Sequence, residues 1–215
     1  MINIFQNRKL IDSQTLREIL DEIISPRFIS RGLVWDRNYL WFDQSKNSIR
    51  QVFKYSKLKG ETGTFDWGVC IDFVPTISSK KLRFHRTDKS VQLHLFEWTD
   101  EYSNSFFGGK LEGGITTHWG KQRAKHSVKH LLDKYEQKIN NWFDNAQTIE
   151  NLIEIAQRQI ATGKSYNSHS PDQRLVLAFL QAKTKQFDEA TKTINQLALD
   201  NNLKEILLKQ IHKSD

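Results

Sequence analysis

The residues whose types and spacing most suggest chemistry or binding lie in a short stretch around position 120. His126, His130 and Asp133 stand at i, i+4 and i+7, a spacing that puts two imidazoles and a carboxylate on one side of a helix. That is a weak metal-ligand set, because no fourth ligand is identifiable from spacing. The same stretch, Lys121 to His130, holds four cations (Lys121, Arg123, Lys125 and Lys129), two histidines and no acid. Cations at a helix start oppose the macrodipole, and Lys121, Lys125 and Lys129 repel one another at i,i+4, so the segment invites an anion or an acidic surface. Just upstream, Phe106, Phe107 and Trp119 lie in a run that also contains Gly108, Gly109, Lys110, Gly113 and Gly114. A phosphate-cradling loop would need its last Gly-Lys-Ser/Thr to open a helix after a buried strand, and here the order is wrong. The chain has no G-x-S-x-G, H-E-x-x-H, C-x-x-C or G-x-G-x-x-G, so no catalytic residue is assigned and no cofactor is expected. Phe106, Phe107, Trp119, Lys121, Arg123, Lys125 and Lys129 are therefore candidates for binding a partner or an anion.

These residues need elements to hold them. From Lys121 onward Ala124, Val128, Leu131, Leu132, Tyr135, Ile139 and Trp142 recur on one helical stripe, which predicts a long packed helix. A first helix is expected over 12–25, with Leu16, Ile19, Leu20, Ile23 and Ile24 on one face, Asp12 or Ser13 as N-cap and Pro26 beyond its end. Between the two the period changes to 2. Phe65, Trp67, Val69, Ile71 and Phe73 alternate with Thr64, Asp66, Gly68, Cys70 and Asp72, and Val91, Leu93 and Leu95 alternate with Gln92 and His94. Shorter strands are expected at 33–36, 39–42, 49–55 and 82–85. The fold class is α+β: an N-terminal helix, an antiparallel sheet of about five or six strands with one solvated face, then a helical C-terminal part. Residues 99–120 show neither period and read as a long loop. The expected organisation is an α+β domain over 1–145 and a helical extension over 146–215, with a helix at 147–161, a linker at 163–171 and two or three more helices over 172–212.

Composition narrows the class further. Six Trp, thirteen Phe and five Tyr argue for a folded chain. Cys70 is the only cysteine, which excludes an intramolecular disulfide and any zinc site built on two thiolates, and fits a reducing, cytoplasmic location. Arg8, Lys9, Asp12 and Arg17 interrupt any secretory apolar run, and no stretch of about twenty apolar residues exists, so membrane insertion is not expected. The net charge of +7 is spread as +3 over residues 1–120 and +4 over 121–215, with no basic tail. A second basic cluster combines Arg50, Lys54, Lys57 and Lys59 with Lys80, Lys81, Arg83 and Arg86. If the strands pair, these form a basic sheet face with Tyr55 and His85, as on single-stranded nucleic-acid platforms.

Residues 16–142 or so resemble the bacterial domain-of-unknown-function family 4304. The residues that carry the likeness are Leu16, Leu20 and Ile24, Phe28 with Gly32, Trp35 with Arg37, Gln51-Val52-Phe53, and Phe65-Asp66-Trp67-Gly68-Val69. The family implies no activity for any of them. Residues 171–202 resemble a single tetratricopeptide-type hairpin, with Leu177-Ala178 in its first helix and Phe187, Ala190 and Ile194 in its second; Lys185 stands where the repeat has its turn glycine. One such hairpin either caps the body or presents a surface to another protein. The function this points to is a non-catalytic protein-binding module, with bacterial toxin-neutralising (immunity) proteins as an instance and a toxin as the partner; a basic chain then calls for an acidic or membrane-acting target. The alternatives are a nucleic-acid-binding protein using the basic helix and strands, and an enzyme whose composite site no motif reveals.

Overall fold

The computed structural model describes residues 10–58, 62–99, 114–117, 120–162 and 171–213. Asp12 opens the first helix, α1 (Ser13–Phe28), by accepting the Thr15 N–H at 2.7 Å, and these hydrogen bonds from Thr15 hold its carboxyl below the usual range. The helix does not stop before Pro26, as expected, but runs through it to Phe28. The proline sits in the last turn, where its missing N–H is withheld only from the carbonyl of exposed Glu22, and the Ile29 N–H still closes on Ser25. A 3₁₀ turn, Ile29–Arg31, then ends at Gly32, whose φ of +73° suits a residue without a Cβ.

Strands β1 (Leu33–Trp35), β2 (Leu40–Asp43), β3 (Ile49–Leu58), β4 (Thr62–Ile71), β7 (Leu95–Trp98) and β8 (Ile115–Thr116) form one sheet in the order β1-β2-β3-β4-β7, with β8 also paired to β4. Pairing is antiparallel where the register is set by Val34 opposite Phe42 and Trp41 opposite Phe53. Strands β5 (Thr76–Ser78) and β6 (Lys81–Arg83) make a separate hairpin, so the strand expected at 82–85 lies outside the main sheet. The helices that follow are α2 (Lys121–Asn145), α3 (Ile149–Ala161), α4 (Gln173–Lys183), α5 (Phe187–Asn195) and α6 (Asn201–Ile211). The molecule is α+β, with the expected order of helix, antiparallel sheet and helical C-terminal part. No helix among the described residues is long and apolar enough to cross a membrane.

Chain contacts divide into two compact units, Met1–Gln44, Gln51–Trp67 and Phe96–Asn141 in one, Ser45–Arg50, Gly68–Leu95 and Trp142–Asp215 in the other. In the first, Ile19, Leu20, Ile24 and Phe28 of α1 are fully buried and an aromatic chain runs through the core: Phe28 to Phe53 at 4.8 Å between centroids, Phe53 to Phe65 at 5.0 Å, Phe53 to Trp41 at 6.1 Å. Such pairs add about 0.5–1.5 kcal/mol each beyond their buried area. The Trp41 indole N–H, which burial would otherwise leave costly, donates to Ser25 Oγ at 2.8 Å. Trp67 meets Tyr135 of α2 at 6.0 Å. Polar ties fix α1 to α2: Arg27 bonds Asp133 at 2.6 Å and also Glu136, Arg31 bonds Asn140 at 2.9 Å, and Lys125 bonds Glu22 at 2.6 Å.

In the second unit α4 packs on α3, α5 and α6, which explains why every residue from Leu175 to Ala182 is buried and why its sequence is apolar on all sides. Ala178 and Ala190, both fully buried, are small where α4 meets α5. Lys185 between these helices has φ +63°, the left-handed conformation usual for glycine at a helix end.

Two patterning expectations fail in informative ways. β4 was expected to be half-buried, yet Thr64, Gly68 and Cys70 are buried as well as Phe65, Trp67, Val69 and Ile71, so the sheet is covered there on both sides. His94 was expected on a solvated face; it is 1 % exposed, with its N–H on the Val69 carbonyl and its Nδ1 accepting the Ile71 N–H, both at 2.8 Å. The loop expected over 99–120 also contains structure, since β8 pairs Thr116 with Thr62 and Ile115 with Gly63, and Ile115 is fully buried.

Candidate functional site

Gly120, at φ +86°, turns the chain into α2, and the Ala124 N–H closes the first helical bond on its carbonyl. The stripe read from the sequence is the buried one: Ala124, Val128, Leu132 and Ile139 are at 0 % exposure, with Leu131, Tyr135 and Trp142 close behind. Burying that stripe forces Lys121, Gln122, Arg123, His126, Lys129 and His130 outward, and all six are exposed. The first turn contains no acid. Lys125 differs from its neighbours: half-buried, it is held by Glu22 of α1, so it is neutralised within the fold.

His126 and His130 lie one turn apart with rings nearly parallel, 13° between planes and 6.1 Å between centroids. Beside them is a recess of about 100 Å³ lined by Gly114, His126, Ser127, His130 and Leu131; β8 brings Gly114 there. The Ser127 hydroxyl is buried and has no hydrogen-bond partner among the described residues. Asp133 does not complete the expected ligand face, because its carboxylate is taken by Arg27 at 2.6 Å. Among the described residues no group of three or more His, Cys, Asp or Glu side chains is placed to hold a metal ion. Phe106, Phe107 and Trp119 lie outside the described residues.

The second basic cluster does not form the face expected of it. Arg50 and Tyr55 are each 2 % exposed and belong to the core, while Lys80, Lys81, Arg83 and Arg86 are surface residues. Lys80 approaches Asp200 at 3.7 Å, and Arg86 lies over the Phe84 ring and bonds the Asp72 carbonyl.

Arg50 was the residue whose role sequence reasoning missed. Its guanidinium donates to the carbonyls of His85 at 2.6 Å, Thr87 at 2.8 Å and Ser90 at 2.9 Å, and approaches Cys70 Sγ at 3.6 Å. A rigid fork that satisfies three carbonyls shapes the 85–90 segment into a lid over Cys70, whose Sγ also accepts the Gln92 N–H. Burial pushes the Cys70 thiol up, with the Gln92 N–H and Arg50 opposing, so it is no activated nucleophile. His85 bonds Ser90 Oγ through Nδ1 at 2.7 Å and Thr76 Oγ1 through Nε2 at 3.3 Å. Burial first, then the positive charges of Arg50 and Arg83, push His85 down, which weakens it as a proton acceptor. His94 is lowered to about 3 by burial first, then by His85 and Arg50, against a raising contribution from the Val74 backbone. The cluster is built to fasten a loop. In the first unit Asp66 is pushed up by burial, opposed by the Ser56 hydroxyl and by Lys54.

No family model matches the chain, and neither a curated protein nor a solved structure does so.

Proposed function

We propose that the chain is a non-catalytic protein-binding module that meets an acidic surface of its partner through the outer face of α2. The observation that carries this reading is the exposure of Lys121, Arg123, His126, Lys129 and His130 along about three turns of one helix, whose first acid, Asp133, is tied to Arg27. A row of exposed like charges favours an oppositely charged partner and speeds encounter with it. Toxin neutralisation in a bacterial cytoplasm fits as an instance, with an acidic or membrane-acting toxin as the partner. A nucleic-acid platform is less well supported, because Tyr55 and Arg50, the aromatic and cationic residues it would use, are in the core.

Charge reversal tests the reading. Lys121→Glu combined with Lys129→Glu alters only exposed side chains and should leave the protein folded, with an unfolding midpoint no lower than that of the unaltered protein because the change relieves repulsion along α2. The unaltered protein, immobilised, should retain an acidic protein from native cell extract, cross-linking of that protein should map to α2, and the variant should lose it. Retention that survives the double reversal refutes the reading. Tight binding of an oligonucleotide at 50 mM salt, abolished by the same reversal and falling steeply with added salt, would replace it with a nucleic-acid function.

A further inference from the structure

Three features remain after the docking face is described: a groove between β5, the start of α4 and the segment 197–199 that follows α5, a cleft at the β1–β2 turn beside Tyr39 and Lys57, and the histidine pair over the recess on α2. The first two have nothing that says what fills them. The third carries a chemical argument.

We propose that His126 and His130 chelate a divalent transition metal of borderline softness, such as Zn²⁺, at the mouth of the recess lined by Gly114, Ser127 and Leu131. Both imidazoles are exposed and project from the same face of a rigid helix one turn apart, so neither has to be recruited from another element. Nitrogen–metal bonds of about 2.0–2.1 Å place each ring centroid roughly 3.2 Å from the ion, so two rings at a tetrahedral angle stand about 5 Å apart. The observed 6.1 Å therefore closes by about 1 Å, which side-chain rotation at two exposed positions supplies.

Ser127 provides the second observation. Its hydroxyl is buried, lines the recess and has no hydrogen-bond partner among the described residues, a costly state for a polar group. Water on a metal held by two histidines is a strong donor, and Ser127 Oγ is an acceptor facing the space where that water would stand. The remaining coordination positions are open, so the site binds metal with solvent or with a partner's side chain as further ligands. Lys129 opposes a dication, but it is exposed on a flexible stem and extends into solvent. The inference is separate from the docking reading, which needs the cations of α2 and no metal.

Titration of ZnCl₂ into the full chain, followed by calorimetry, is expected to show one ion per chain, with the thermal midpoint rising as free Zn²⁺ rises. His126→Ala and His130→Ala should each weaken binding by about tenfold or more, the pair together should abolish it, and Ser127→Ala should weaken it by a smaller factor. Circular dichroism should show all variants folded, since the histidines are at the surface and alanine at 127 removes only one hydroxyl. Affinity undiminished in the double histidine variant would place the metal on the chain's other histidines and overturn the proposal. Absence of binding heat together with an unmoved midpoint would do the same.

Discussion

Acid should destabilise this protein chiefly through His94. In the fold its imidazole is 1 % exposed and accepts the Ile71 N–H through Nδ1, so the buried ring is neutral, and its proton affinity is lowered to about 3. An unfolded chain restores the ordinary value of 6.5. The sign follows directly: above pH 6.5 both states are neutral and His94 contributes nothing to the pH dependence, whereas below it the unfolded state takes a proton that the native state refuses. Stability is therefore lost as pH falls from 6.5 toward 3, at about 1.36 kcal/mol per unit, which is about 2 kcal/mol by pH 5 and about 5 kcal/mol by pH 3. Two kcal/mol is a large part of a typical 5–15 kcal/mol. His85, also pushed down by burial and by Arg50 and Arg83, acts in the same direction. Urea unfolding at several values between pH 7.5 and 4.5 measures the slope. His94→Asn isolates the residue, because a carboxamide oxygen can accept the Ile71 N–H without titrating; the smaller side chain costs about 1 kcal/mol at every pH and leaves the slope as the readout. The variant should lose about 2 kcal/mol less than the unaltered protein between pH 6.5 and 5. Parallel pH profiles for the two proteins would refute the assignment.

Two further outcomes follow from backbone geometry. Lys185→Gly removes a Cβ from a left-handed residue at an exposed position, where the N–H of Lys185 and that of Gln186 already close the end of α4 on Ala182 and Gln181; the variant should be about 0.5–1 kcal/mol more stable by denaturant unfolding, and a loss of stability would contradict the reading. Gly63→Ala should destabilise by about 1–3 kcal/mol, since any Cβ there runs into the Tyr55 ring; Tyr55→Ala, itself costly, should abolish the extra cost of the alanine at 63, and additive effects in the double-variant cycle would sink the argument.

The parts of the fold legible in the sequence are those where one side of an element decides its environment. The α2 stripe is such a case: a 3.6-residue period names the buried residues from Ala124 to Trp142 and, by subtraction, the exposed cations and histidines of the candidate face. What a period does not carry is whether the opposite side is also covered. β4 alternates, but Cys70 is buried by the segment that Arg50 gathers at His85, Thr87 and Ser90, and that segment has no periodicity of its own. Arg50 and His94 thus read as solvated from their neighbours and are core residues because of a loop that is distant in sequence.

The same distinction explains which half of the candidate site could be foreseen. Exposure of Lys121, His126, Lys129 and His130 follows from the helix alone, whereas the fates of Lys125 and Asp133 depend on α1, which supplies Glu22 to one and Arg27 to the other. Those two ion pairs are separated from their partners by about a hundred residues, and local spacing contains no sign of them. They sharpen the site, however. Lys125 and Asp133 are tied up on the side facing α1, while Lys121, Arg123, Lys129 and the two imidazoles are exposed, so charge reversal there and metal binding by the histidines probe different groups of one surface and can succeed or fail independently.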